Sequence, residues 1–410
     1  MKTTPKQLKR YISDIDDIVM ADFDFYTAKA YQLRQHVKWI KQSLGKTSDR
    51  HKEITRWMRE RCTQFDAKLA LMGKIIRHGN TAYLPRLRTD HMLLEKHIMC
   101  VSNYMGIMLR EGDYEKKFSN VIRCFCGESG FAVKDFLVGF TTILDGPGIS
   151  TGEATNPIFY VRDESLASAY SWIALFHEMG HIAVRFDRDK IIKPLARIVI
   201  DHFRQARTAI GPVKPGARES TEAALDAAER YWLAGINDIR LEELFCDCFA
   251  IYTAGLAYLY FWLDYGVGFE EKPKFIDLCD EHPPFSARFE ACWHATPERL
   301  RNSEYGLRLE RIWNNYMSST SGTNNPELLY GTACPRELLH RLADASVLLI
   351  EHNWPSMHRW DKPPSQGAVD SSINKPLAAL LNNLVATLIR SCEDYEKSER
   401  RILETVLDTK

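Results

Sequence analysis

Ser171-Trp-Ile-Ala-Leu-Phe-His-Glu-Met-Gly-His-Ile-Ala-Val184 is the stretch on which the reading of this chain turns. Its only hydrogen-bonding or ionisable side chains besides Ser171 and Trp172 are His177, Glu178 and His181, set in an otherwise apolar run that predicts a buried helix. On a helix, residues four apart lie about 40° apart and one turn up, so the imidazoles of His177 and His181 can reach one ion. Glu178 is rotated about 60° from His181, which puts its carboxylate beside such an ion rather than on it. That is where a general base takes a proton from an attacking water. Leu175, Phe176, Met179, Gly180 and Ile182 are uncharged, as expected of a helix beneath a cleft. The alternative is a core helix whose two histidines bond to backbone or to carboxylates.

Catalytic zinc takes three protein ligands and keeps one position open, so a third ligand decides between these readings. Downstream lies Arg240-Leu-Glu-Glu-Leu-Phe-Cys-Asp-Cys-Phe-Ala250, where Glu243 and Asp247 share a helix face. Glu243 can complete the coordination. Asp247, one turn on, can accept the free ring N–H of a ligand histidine, an arrangement that fixes the tautomer and raises ligand basicity. Both carboxylates sit in a helix that otherwise reads as core, and burying them unpaired would cost several kcal/mol each; a divalent ion supplies the partner. Glu242 competes for the third position, but its neighbour four residues on is Cys246, not a carboxylate. A thiolate from Cys246 or Cys248 is a further alternative.

Working outward, residues 6–110 show apolar positions at three and four (Tyr11, Ile15, Ile18, Val19; Val37, Ile40; Ile54, Trp57, Met58), with breaks near Gly45 to Asp49 and Gly79 to Pro85. Residues 1–110 hold 21 Lys+Arg and 11 Asp+Glu, so the remainder balances them in a chain of zero formal net charge. Zero net charge removes a global positive field as an argument for a nucleic-acid binder. The basic region reads either as a solvated helical face or as an arm for nucleic acid or an acidic partner, with Trp39 and Trp57 among its cations. Asp145 to Ser150 reads as a turn-rich stop, Pro157 to Val161 as a strand, Asp163 or Ser165 as a helix cap, and Gly211 to Ser220 as a loop. A helical stretch follows from Thr221 to Tyr265 with a break around Gly235. Loops are expected at Ser318 to Pro326 and Trp354 to Lys375, with a helical tail from Pro376. The longest apolar run, Cys248 to Leu263, falls short of the ~20 residues of a spanning helix and reads as one buried core helix. No signal peptide is readable and the ten cysteines show no CxxC pair; a cytoplasmic protein with reduced thiols and no membrane association is expected. The expected fold is mainly α (α+β), in three regions: 1–115, 116–300 and 301–410.

The order HEMGH, a 61-residue interval, ExxxD, then Glu281-His-Pro-Pro-Phe-Ser-Ala-Arg-Phe289 resembles the gluzincin metallopeptidases, and within them the branch of the CAAX-prenyl endopeptidases and their bacterial heat-shock relatives. The resemblance covers about residues 155–290. It implies a zincin-like core with a small sheet and an active-site helix, joined here to an N-terminal helical bundle. It implies Zn2+ on His177, His181 and Glu243, Glu178 as base and proton shuttle, and Asp247 behind the ligands. It also implies that His282 and Arg288 lie near the substrate carbonyl, and that an edge strand, here Pro157 to Val161, binds the substrate backbone. Peptide or protein would be the substrate. His282 reads equally as part of a rigid turn capping a helix, and Arg288 as a partner of Glu281 or Glu290. The chain lacks the spanning helices of that branch's membrane members, so prenylated substrates do not follow. A vestigial or structural zinc site in a protein that binds through its basic arm is the competing reading.

Overall fold

The computed structural model describes residues 26–27, 29–45, 51–79, 81–110, 113–129, 133, 136–141, 148–150, 157–162, 168–211, 215–233, 238–269, 273–278, 280–319, 329–363, 377–390 and 392–407. The fold is mainly α, as the sequence predicts. No helix among the described residues is long and apolar enough to cross a membrane. The chain divides into two compact units. One comprises Met1–Gly112, Lys134–Gly139 and Thr151–Ile158; the other comprises Asp113–Val133, Phe140–Ser150 and Phe159–Lys410. Residues 301–410 thus belong to the same unit as the HEMGH segment.

In the first unit, helix α1 (29–44) precedes α2 (Lys52–His78) and α3 (Leu84–Arg110). The buried positions of α2, Ile54, Met58, Cys62, Phe65, Leu69 and Met72, follow the helical repeat, and Gly79 ends it in the left-handed region at φ 58°. Trp57 packs on Tyr104 of α3, ring centroids 4.8 Å apart. It is therefore a core residue and not available for stacking on a partner, whereas Trp39 is exposed.

The second unit is built around one helix. Its elements are α4 (Asp113–Ser129), β2 (Gly148–Ser150), α5 (Ala174–Phe186), α6 (Arg188–Thr208), α7 (Pro215–Leu233), α8 (Ile239–Ala254), α9 (Leu256–Phe269), α10 (Phe285–Ala295), α11 (Glu298–Arg301), α12 (Glu304–Ser319), α13 (Tyr330–Ala333), α14 (Arg336–Asn353), α15 (Leu377–Arg390) and α16 (Cys392–Leu407), while the strands β1 (Leu137–Thr141) and β3 (Ile158–Arg162) are each cut by the division. Every side chain of α8 from Arg240 to Ala254 is buried. Helices α5, α6, α9, α10, α14 and α15 all pack on it. The closest approach is to α5, at Gly180, where an added Cβ would stand 2.7 Å from Cys246 Cα. The glycine of HEMGH is thus a packing notch that lets α8 come within reach of the two histidines.

Four expectations are corrected. The loop expected over Gly211 to Ser220 gives way to α7 at Pro215, a residue suited to a first helical turn because its missing N–H is an orphan there in any case. The apolar run Cys248 to Leu263 is two helices, broken at Gly255, whose φ of 59° only glycine adopts readily. The break is satisfied by Asn382 of α15, which donates to Ala254 O (2.6 Å) and accepts from Ala257 N (3.2 Å). The strand over Pro157 to Val161 forms, but strand order is β1-β3-β2, so β3 is central and both its ladder edges are taken; β1 and β2 are the outer strands among the described residues, and β2 packs on α5. Gly148–Ser150, inside the expected turn, is strand β2. The proposed caps Asp163 and Ser165, and Gly235, lie outside the described residues.

Replacing Gly180 by Ala should force α5 and α8 apart and destabilise the protein by about 1–3 kcal/mol, read as a lower midpoint in chemical denaturation. An unchanged midpoint would mean that the notch is slack.

Candidate metal centre

His177 and His181 project from one face of α5 with ring centroids 5.1 Å apart and planes at 80°. Glu243 of α8 lies against both: its Oε2 is 3.1 Å from His177 Nε2 and its Oε1 is 3.4 Å from His181 Nε2. Donor atoms around a tetrahedral ion with bonds of 2.0–2.2 Å stand roughly 3.3 Å apart, and each Glu243 oxygen lies near that spacing from one imidazole nitrogen. The outer nitrogens are held in parallel fashion. His177 Nδ1 faces Asp247 Oδ1 at 2.9 Å, and His181 Nδ1 faces Glu242 Oε1 at 2.9 Å. Glu242, weighed from the sequence as a rival ligand, therefore stands behind His181 as Asp247 stands behind His177.

The donor chemistry calls for a cation. A neutral imidazole that gives its N–H to the outer carboxylate turns a lone pair toward Glu243, acceptor against acceptor. A doubly protonated ring or a metal ion between the groups relieves this. Without an ion, burial pulls the His177 pKa down, but the hydrogen bonds and charges of Asp247 and Glu243 overcome it and raise it to about 10. The charges agree. Of the three buried carboxylates on α8, Glu242 is met by Arg188 and Asp247 by Arg288, while Glu243 has no guanidinium at ion-pair distance among the described residues. Burial alone would push Glu243 up, yet the surrounding imidazoles hold it down, at about 2. It is an ionised carboxylate whose nearest counter-charges among the described residues are histidines, with the buried Arg288 guanidinium acting on it from further off.

Cys246 adds a further donor. His177, His181 and Cys246 offer ligand atoms that all lie within 4.8 Å of one another, a group that could hold a metal ion. Burial, followed by the fields of Glu243, Glu242, Asp247 and Glu178, pushes the Cys246 thiol well above its ordinary pKa. Glu243 is ionised already, whereas Cys246 would first have to lose its proton among four carboxylates, so the electrostatics favour the glutamate.

Glu178 is half-buried and makes no hydrogen bond or ion pair with the described residues. Burial raises its pKa, opposed by His181 and His177. His282 is brought in from the segment before α10: Nε2 stands 3.4 Å from Glu243 Oε2, and Nδ1 is 2.9 Å from Asp280 Oδ1. Its side chain is half exposed, at the mouth of the site. It does not cap α10, whose N-cap is Pro284. Arg288 has a different partner from the two that the sequence offers. It pairs with neither Glu281 nor Glu290; it donates from Nε (2.6 Å) and Nη2 (2.8 Å) to Asp247, because a fully buried carboxylate demands a charge partner.

Four participants escaped the sequence reading. Tyr258 donates its hydroxyl to Asp247 Oδ1 (2.6 Å) with its ring parallel to that of His177. Arg188, Asp280 and the outer role of Glu242 complete the set. Asking for an acceptor behind each histidine, rather than behind one, would have found Glu242; nothing local marks the others.

No family model, curated protein or solved structure matches the chain.

Removing either inner donor, in His177→Ala or Glu243→Ala, should abolish stoichiometric metal binding, while Cys246→Ser retains it and Glu242→Gln weakens affinity about 10–100-fold; elemental analysis and metal titration decide. The metal-free protein should also depend on pH. A His177 pKa raised from 6.5 to about 10 contributes stability that is fully present below pH 6.5 and is lost as pH rises through about 10. Melting temperature should fall across that window in the metal-free protein and much less in the loaded one.

Proposed function

We propose that this protein is a zinc-dependent metallopeptidase, resembling the gluzincins, with peptides or proteins as substrates. The observation that carries the reading is the convergence of His177 Nε2 and His181 Nε2 on the Glu243 carboxylate at 3.1 and 3.4 Å, with Glu178 beside them and its side chain in no hydrogen bond among the described residues. Two imidazoles and one carboxylate are the ligand set of catalytic zinc, which leaves a coordination position open. Bound there, zinc would polarise a carbonyl and lower the pKa of water.

The chain's own residues supply the rest. Glu178, free of competing hydrogen bonds and with its proton affinity raised by burial, takes the proton of the attacking water and delivers it to the leaving amine. His282, its Nδ1 engaged by Asp280 and its Nε2 turned to the site, is the side chain that can interact with the oxygen on which negative charge develops. Asp247 and Glu242 keep both ligand imidazoles oriented, and Arg288, Arg188 and Tyr258 keep those carboxylates ionised and in place. An extended substrate strand would add to the outer edge of β2 against α5.

Glu178→Gln should retain zinc and lose cleavage of an unstructured protein substrate by about 10²–10⁴-fold, and chelation should abolish the parent's activity with recovery on adding zinc. If Glu178→Gln cleaves as well as the parent, the proposed mechanism is wrong.

A further inference from the structure

Arg240 is a buried guanidinium that meets no carboxylate among the described residues. Burying an uncompensated cation is costly, so what it does hold is informative. Nη1 donates to Tyr231 O at the end of α7 (2.8 Å), and Nη2 donates to Leu278 O (2.9 Å) and to Asp280 O. The Tyr231 ring lies against its face, 4.4 Å from Cζ to the centroid. Both loop acceptors belong to the segment that carries His282. Asp280 Oδ1 in turn accepts from the His282 backbone N–H (2.9 Å) and faces its Nδ1 (2.9 Å). Arg240 sits three residues before Glu243, one turn earlier on the rigid helix that bears the metal-facing carboxylate.

We propose that Arg240 is a positioning residue: anchored on α8, it grips the carbonyls of Leu278 and Asp280 and so fixes, through Asp280, where the His282 imidazole stands relative to Glu243. A guanidinium suits this task because its rigid fork serves several carbonyls from two segments at once, which an ammonium on a flexible stem cannot do. The chain thereby references a half-exposed loop histidine to the helix that carries the metal ligand. The catalytic part of the proposal rests on the peptidase reading; the positioning part does not.

The test uses the full-length, zinc-loaded protein and the variants Arg240→Met, Arg240→Lys, Asp280→Ala, Asp280→Asn and His282→Ala. Zinc content should be unchanged in all. Amide hydrogen exchange over 276–284 and carbethoxylation of His282 should both accelerate in Arg240→Met and Asp280→Ala. Arg240→Lys should behave intermediately, and Asp280→Asn, which keeps the Oδ1 acceptor, should restore most of what Asp280→Ala loses. In peptide hydrolysis, Arg240→Met should lower kcat by about 10²-fold with KM little changed, and combined with His282→Ala it should cost no more than His282→Ala alone. A general structural defect would instead add to the His282→Ala loss, and that result overturns the proposal. So does unchanged exchange and labelling in Arg240→Met, or in Asp280→Ala should Arg240→Met not fold. If the parent hydrolyses no peptide, the peptidase reading falls, while exchange and labelling still decide whether Arg240 positions His282.

Discussion

A helix with no side facing water carries Arg240, Glu242, Glu243 and Asp247, and the need to compensate those charges shapes everything around it. Each isolated charge in such surroundings would cost several kcal/mol. The chain answers with partners from five other segments: Arg188 from α6, Arg288 from α10, the imidazoles of α5, the carbonyl of Tyr231 in α7, and those of Leu278 and Asp280 before α10. Glu243 faces imidazoles at 3.1 and 3.4 Å, and those imidazoles are themselves backed by carboxylates. A proton on one of those rings, or a cation among them, would serve Glu243 where no guanidinium stands at ion-pair distance among the described residues.

The arrangement also explains why one glycine matters. At Gly180 the backbones of α5 and α8 approach so closely that a methyl group would collide with Cys246. That separation sets the distance from the histidine nitrogens to the Glu243 oxygens. Packing at the notch and donor spacing at the ion are thus two readings of one interhelical distance.

Much of this centre was legible because it obeys helical periodicity. His177 and His181, and Glu243 and Asp247, lie four apart, and their shared faces follow from 3.6 residues per turn alone. What was hidden depends on tertiary placement. Arg288 has glutamates near it in sequence, and these drew attention from the aspartate 41 residues upstream that it actually serves. Glu242 looked like a competitor because its own neighbour four residues on gave it no role; its role comes from His181, 61 residues away. The strand before α5 was readable from its β-branched and aromatic residues, but strand order was not, so a central strand passed for an edge. An apolar run of helical composition concealed the break at Gly255, since periodicity is silent where every position is buried.

That break ties the centre to a distant part of the chain. Asn382 bridges the end of α8 and the start of α9 from 128 residues downstream, and α9 supplies the tyrosine that steadies Asp247. During synthesis, the ribosome must release α15 before the two central helices acquire the amide that joins them. Until then a nascent chain carries the histidines and carboxylates of the candidate centre without the amide that joins α8 to α9.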